Sequence, residues 1–290
     1  MKVIVLGSTG LLGSYVTNYL SDGAVLSDNR SYKVVALNRN HFDASTRRLP
    51  ESIIQTITPG DVVINCVGVL KPFIPKTGYA KTIMINSHFP QLVADVCSKN
   101  GARFIHICSD CVFSGEKGSY LETDVCDADD IYAKTKSITP TFGSTIRTSF
   151  IGIDNRSRAH GLLNYITGHA AGCRLYGYDN CMWNGVTALQ LAIIIEHIIL
   201  TKGYWSGIRH VFTMDHLSKY DVCKLVNDIF KLYLTVCQES ADSISGTPVP
   251  PSGILDRTLS TIYQPIFVPS LEQQLIELQY SRYHVSRQQP

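Results

Sequence analysis

The chain has no apolar run long enough to cross a bilayer. Its longest, Ala188 to Leu200, falls short of the roughly 20 residues a spanning helix needs and contains Glu196 and His197, so no membrane partner is expected. There is also no run of basic residues with interleaved aromatics, and 26 Lys+Arg stand against 24 Asp+Glu, which argues against nucleic acid as a partner. Val3-Ile4-Val5-Leu6, after Met1 and one lysine, is too short for a signal-peptide core and reads as a buried strand. No Cys and His spacing suits zinc, and no metal is expected. The nine cysteines, odd in number and irregularly spaced, make no disulfide framework and suit a reducing, cytoplasmic compartment. Cys108-Ser109-Asp110-Cys111 has redox spacing, but it follows the strand Phe104-Ile105-His106-Ile107 instead of opening a helix, so packing is the expected use of both thiols. No internal repeat is present.

What is there is an alternation. Short apolar runs at Lys2 to Leu6, Lys33 to Leu37, Asp61 to Cys66, Arg103 to Cys108, Thr145 to Ser149 and Arg209 to Phe212 predict strands. Helical patterns at Leu11 to Leu20, Ile85 to Lys99, Tyr132 onward and Leu189 to Leu200 separate them. This predicts an α/β fold with a doubly wound parallel sheet of Rossmann type, over 1–150 plus 186–213. The rhythm breaks over Gly161 to Thr187, resumes as a helix over Lys219 to Leu234, then gives way to a Ser-, Pro- and Gly-rich stretch, Ser240 to Gly253. A smaller, discontinuous α/β substrate domain over 151–185 plus 214–290 is expected, with a fraying polar tail from Ser281.

Gly7-Ser8-Thr9-Gly10-Leu11-Leu12-Gly13 follows a predicted strand and opens a predicted helix, where glycines let a pyrophosphate approach backbone N–H groups. Thr9, Leu11 and Leu12 share that loop. The second strand ends in Asn38-Arg39 with no acid for a ribose 2′-hydroxyl; Arg39 suits a 2′-phosphate, which favours NADPH with NADH as the alternative. Asp43 completes this end of the candidate cofactor set. Asn65-Cys66-Val67-Gly68 ends another strand, where such sheets bind ligands, although a plain strand-to-loop glycine has the same spacing. Asn86 lies four before Pro90, whose missing N–H leaves the Asn86 carbonyl without its helical partner. Tyr132 and Lys136 stand four apart, on one face of a helix, where the cation is expected to lower the tyrosine pKa. That spacing is weak by itself. Tyr220 and Lys224 share it in a segment whose Val222, Leu225, Val226 and Ile229 read as core, and only the order of glycine loop, Ser109, Tyr132 and Lys136 lifts the first pair above chance.

These motifs, with Asn86-Ser87-His88-Phe89-Pro90, Ile107 to Gly115 and Leu255-Asp256-Arg257, resemble the extended short-chain dehydrogenases, and within them the dTDP-4-dehydrorhamnose reductase group of nucleotide-sugar reductases. The resemblance implies an enzyme in which Ser109 holds a substrate carbonyl, Tyr132 protonates the developing alkoxide and Lys136 binds the nicotinamide ribose. It implies substrate contacts at Asp110, Phe150, Trp183, Asn184 and Arg257, the last near the nucleotide phosphates. It further implies a nucleotide-sugar substrate, an upstream 4,6-dehydratase that supplies the ketone, and room for a homodimer. The related dehydratases carry Thr-Asp-Glu where this chain has Ser109-Asp110-Cys111, so one carboxylate is missing and reduction is favoured over elimination of water. Two alternatives stay open: a combined epimerase and 4-reductase acting on a UDP-linked 2-acetamido-2,6-dideoxy-4-hexulose, with Cys111 or His88 as the added acid or base, and a non-catalytic NADP-binding regulatory subunit. Ser137-Ile138-Thr139-Pro140 stands where the group has a Gly-Glu pair, and Pro140 is expected to end or kink the helix.

Overall fold

A computed structural model of the protein describes residues 1–26, 32–154, 161–241 and 252–281; most of the predicted Ser-, Pro- and Gly-rich stretch and of the polar tail lies outside the described residues. In chain order the elements are β1 (Lys2–Leu6), α1 (Leu11–Leu26), β2 (Lys33–Leu37), α2 (Glu51–Thr56), β3 (Val62–Asn65), α3 (Ile74–Thr77), α4 (Tyr79–Ile83), α5 (Phe89–Lys99), β4 (Arg103–Ser109), α6 (Ile131–Ser137), β5 (Ser144–Thr148), β6 (Phe150–Ile151), α7 (Leu162–Thr167), β7 (Arg174–Tyr178), β8 (Cys181–Trp183), β9 (Val186–Thr187), α8 (Ala188–Thr201), β10 (Gly207–His210), β11 (Leu217–Ser218), α9 (Lys219–Phe230), β12 (Thr235–Glu239), β13 (Leu255–Asp256) and α10 (Leu271–Tyr280). They form two units: Met1–Val112 with Val125–Arg147 and Leu191–Arg209, and Phe113–Asp124 with Thr148–Gln190 and His210–Pro290.

The first unit is built on a six-stranded sheet in the order β10-β5-β4-β3-β1-β2. Strand β1 pairs in parallel with β2 on one side and β3 on the other, and β3 pairs in parallel with β4. Val3 to Leu6 and Val62 to Asn65 are buried throughout, as continuous apolar strands must be when both faces of a parallel sheet are covered. With its helices the sheet makes a Rossmann-like fold. The chain leaves β1 for β2 on one side and later enters β3 on the other, so the ends of β1 and β3 flank the topological switch point, where ligands of such sheets bind. Phe89, Val93, Ala94 and Cys97 of α5 pack with Ile4, Val63 and Phe104 in the core beneath.

Two predicted boundaries move for identifiable reasons. The helix expected over Ile85 to Lys99 is a π-helical turn, Met84–His88, followed by α5, and the Phe89 N–H reaches back to the Met84 carbonyl. Pro90 has no N–H to continue the ordinary ladder, and the wider turn absorbs the loss. In the second unit the helix expected to reach Leu234 stops at Phe230, because Lys231 and Tyr233 adopt left-handed φ values of 52° and 57° before β12 begins. That unit holds a parallel pair, β7 with β12; a three-stranded sheet, β11-β8-β13; and a short parallel pair, β6 with β9. Among the described residues no helix is long and apolar enough to cross a membrane.

Candidate active site

The loop after β1 is shaped by what a side chain would strike. Gly7 has φ +83°, and a Cβ there would lie 3.0 Å from Val67 Cγ2; a Cβ on Gly13 would lie 2.1 Å from the Gly7 carbonyl oxygen. Glycine at 13 therefore lets the start of α1 press against the loop. The N–H groups of Gly7 and Ser8 are held by the Leu37 carbonyl at 2.8 and 3.1 Å, while Gly10 N–H donates to the Gly7 carbonyl at 2.9 Å. The opening N–H groups of a helix have no helical acceptors and its dipole favours an anion, so the residues from Gly7 to Gly13 fit the pyrophosphate of a dinucleotide. Beyond β2, Asn38 Oδ1 accepts from Asn40 N–H, Arg39 is exposed, and Asp43 Oδ1 accepts from both Ser45 N–H and Ser45 Oγ at 2.8 Å. Those bonds to Ser45, helped by the charges of Lys81 and Arg39, hold the Asp43 carboxyl below its ordinary range.

The end of β3 is buttressed from below. Asn65 Oδ1 accepts from Val67 N–H at 3.0 Å, and its Nδ2 lies 3.2 Å from His106 Nδ1. Burial holds His106 well below its ordinary pKa, so the ring is neutral, Nδ1 accepts and Nε2 carries the proton. Burial likewise pushes the Cys66 thiol up to about 12, which leaves it uncharged beside the loop. Asn86, fully buried on the π-turn, clasps the backbone of Val69: Oδ1 accepts from Val69 N–H at 2.8 Å and Nδ2 donates to its carbonyl at 3.1 Å.

Ser109 closes β4, and its Oγ accepts from Cys111 N–H at 3.1 Å and donates to the buried Asp110 at 3.2 Å. Tyr132, on α6, hydrogen-bonds Ser109. The tyrosine pKa is raised, opposite to the depression expected from the Tyr132 and Lys136 spacing. Burial pushes the phenol upward, the Cys111 thiol adds to that, and the bond to Ser109 offsets only part. The Lys136 ammonium donates to the Ile107 carbonyl at 2.8 Å, and burial lowers its own pKa. Four-residue spacing places the two on one face; the partner an ammonium takes is decided by the carbonyl that tertiary structure brings to it.

Helix α6 is only seven residues long and ends before Pro140, with Ile138 already extended. Its last turn leaves carbonyls without helical donors, and side chains take them. Ser137 Oγ donates to Lys134 O at 2.9 Å, Ser87 Oγ to Thr135 O at 2.8 Å, and Cys108 Sγ to Lys136 O at 3.3 Å. At its start Asp130 caps Ala133 N–H through Oδ1 at 3.1 Å while Oδ2 meets Lys71 Nζ at 2.9 Å. Sequence reasoning misses Asp130, Ser87 and Thr135 as site residues. Asp130 carries an N-cap signal directly before the helix, whereas the other two have none.

In the second unit, Phe150 is half-buried on β6, and Trp183 is buried with Lys219 Nζ 4.7 Å from its ring centre. The Asn184 side chain is engaged by the Leu259 backbone, donating to the carbonyl at 2.8 Å and accepting from the N–H at 2.9 Å. Arg257 Nε donates to Phe113 O at 2.9 Å, and the neighbouring Asp256 turns to His216 and Thr258. The second Tyr-x-x-x-Lys pair sits on α9 with Lys224 Nζ 5.4 Å from the Tyr220 ring centre, above buried Val222 and Val226. Among the described residues no cluster of His, Cys, Asp and Glu suits a metal.

Residues 1–139 match the family described as the RmlD substrate binding domain. The chain is 29% identical over 140 residues to the dTDP-4-dehydrorhamnose reductase of Mycobacterium tuberculosis (strain ATCC 25618 / H37Rv), a match that covers 47% of this chain and 43% of that protein. It spans about half the length of the curated relatives it matches. Its fold is shared with the dTDP-4-dehydrorhamnose reductase structure from Yersinia enterocolitica, at TM-score 0.76 and 20% identity over 96% of this chain and 98% of that one. It is shared also with the Bacillus anthracis str. Ames reductase in complex with NADP, at TM-score 0.75 and 16% identity over the same shares, 96% and 98%.

Proposed function

We propose, on the premise that the chain belongs with the dTDP-4-dehydrorhamnose reductase group of extended short-chain dehydrogenases, that it uses NADPH to reduce the 4-keto group of a dTDP- or UDP-linked 4-keto-6-deoxyhexose. The product is a rhamnose-like nucleotide sugar. One observation carries this reading: Ser109, Tyr132 and Lys136 gather at the end of β4, in the unit whose glycine loop opens at the switch point, with the phenol held in its protonated form.

NADPH, when bound along Gly7 to Gly13, Asn38, Arg39, Asp43, Cys66 to Gly68 and Asn86, supplies the hydride. The chain does the rest. Ser109 Oγ and Tyr132 Oη hold the ketone oxygen, and as charge develops there the phenol gives up its proton to it. A raised pKa suits this acid role, since the proton stays on Tyr132 until an alkoxide, a far stronger base, draws it away. Lys136 orients the ribose and offers a nearby positive charge to the phenolate left behind. Asp110, Phe150, Trp183, Asn184 and Arg257 are the proposed substrate contacts, with Asn184 acting through the backbone it braces. Cys111, a thiol where a dehydratase has glutamate, leaves elimination of water without its second carboxylate.

Mixing the protein with NADPH and a dTDP-linked 4-keto-6-deoxyhexose should consume NADPH absorbance. Tyr132→Phe should lower kcat by about 100-fold or more, the lower range for a general acid, with NADPH binding kept within about twofold. Unchanged turnover in that variant would overturn the role of Tyr132 as proton donor. A second reading, epimerisation before reduction, is favoured by the closeness of Cys111 to the phenol. It requires deuterium from solvent at C3 or C5 of the product.

A further inference from the structure

We propose that Thr135 is a positioning residue that ties the loop after β3 to Tyr132, so that the side chain fixing the loop also fixes the phenol. This rests on the reading of Tyr132 as the proton donor. Thr135 is buried, at 4% exposure, and its hydroxyl donates to the Tyr132 carbonyl at 2.9 Å while accepting from Asn86 Nδ2 at 3.1 Å. A helical threonine often bonds a carbonyl one turn back. The bond arriving from Asn86 is different, because it comes from another element and from an amide whose two N–H donors are both used. The Asn86 amide spends its oxygen on Val69 N–H and one hydrogen on Val69 O, and the second hydrogen goes to Thr135. The result is one buried chain of bonds from Val69, just past Gly68, through Asn86 and Thr135 to the backbone of Tyr132.

The need for such a link follows from the helix itself. Seven residues are too few to be stable alone, and Pro140 forbids the extension that would anchor α6 by its own turns. The bonds from Ser87 and Cys108 hold only its last carbonyls. Thr135 carries the side-chain link from the π-turn to the carbonyl of the residue that bears the phenol. Removing its hydroxyl leaves an Asn86 hydrogen buried without an acceptor, and the bond from Ser87 then holds the π-turn to the last turn of α6 with no side-chain link on to the Tyr132 carbonyl.

Thr135→Val keeps the shape and removes the hydroxyl; Thr135→Ser keeps the hydroxyl and removes the methyl. The expected result is a kcat about tenfold or more lower in Thr135→Val with the Kd for NADPH within about twofold, and a kcat for Thr135→Ser within about threefold of the parent. Alongside, the fluorine resonance of 3-fluorotyrosine incorporated at position 132 should move in Thr135→Val and stay in Thr135→Ser. Equal kcat losses in the two variants, or a Thr135→Val protein with parental kcat and an unmoved resonance, would overturn the proposal. If Thr135→Val does not fold, Thr135→Ala carries the same comparison. If the parent turns over no 4-keto nucleotide sugar, it is the functional reading that fails, and the fluorine resonance alone decides the role of Thr135.

Discussion

Two single residues set the sharpest expectations for the site. A methyl group on Gly13 would sit 2.1 Å from the Gly7 carbonyl oxygen, so Gly13→Ala must push α1 away from the loop that its opening N–H groups line. The Kd for NADPH should rise at least about tenfold, about 1.4 kcal/mol, in a fluorescence titration. An unchanged Kd would remove the loop from the cofactor site. Lys136 is expected to govern the pH profile. Its pKa lies below the ordinary 10.5 because burial disfavours the charge, whereas the phenol lies above its ordinary value. The charged lysine is present below its own pKa and is lost as pH rises through it, before Tyr132 ionises. The alkaline limb of kcat should therefore fall below pH 10.5 and vanish in Lys136→Gln along with most activity. A limb that survives that substitution belongs to another group. The types and spacing of these residues are legible in the sequence; the direction in which Lys136 points is not, because it depends on the Ile107 carbonyl delivered by β4.

At the scale of elements, α6 is the part with least intrinsic stability. Asp130 both caps it and pairs with Lys71; burial raises the carboxyl pKa, and the Lys71 bond and the cap outweigh that and leave it lowered. Asp130→Ala should cost about 1 kcal/mol through the lost cap, read in urea denaturation, with a fall in kcat. Lys71→Met should cost less, because that pair is exposed. The lowered carboxyl contributes above its unfolded pKa, and the contribution is lost as pH falls through the folded value. Equal stability of Asp130→Ala and the parent would show that α6 needs no cap. Strand positions are readable where a short apolar run is continuous: β1 and β2 begin and end where Lys2, Leu6, Lys33 and Leu37 predict. Strand β7 is hidden by a glycine. Its inward positions are Leu175 and Gly177, and a Cβ on Gly177 would meet Tyr220 Cα at 2.6 Å, so α9 packs where the alternating pattern shows nothing apolar. The link from Asn86 to Thr135 is unreadable for another reason, since it joins residues far apart that meet only after the sheet has formed.

The whole molecule carries its own reporters, for of its two tryptophans Trp205 lies in the first unit and Trp183 in the second. In Trp183→Phe the remaining fluorescence follows the first unit, where the Trp205 backbone is held by Ser144. NADPH at about 100 times its Kd should stabilise that signal by about 2.7 kcal/mol, seen as a higher urea midpoint. A midpoint that ignores NADPH would mean the first unit does not bind it. The short helix α6 also has a kinetic meaning. Its carbonyls are satisfied by Ser87 and Cys108, and its hydroxyl link comes from Asn86, so the helix has little reason to exist until β4 and α5 stand in place. On refolding from urea, the circular dichroism of the sheet and long helices should return first and the capacity for turnover later. Tyr132 would then be among the last groups in the first unit to reach its native position, and partly folded chains would lack the complete proposed site.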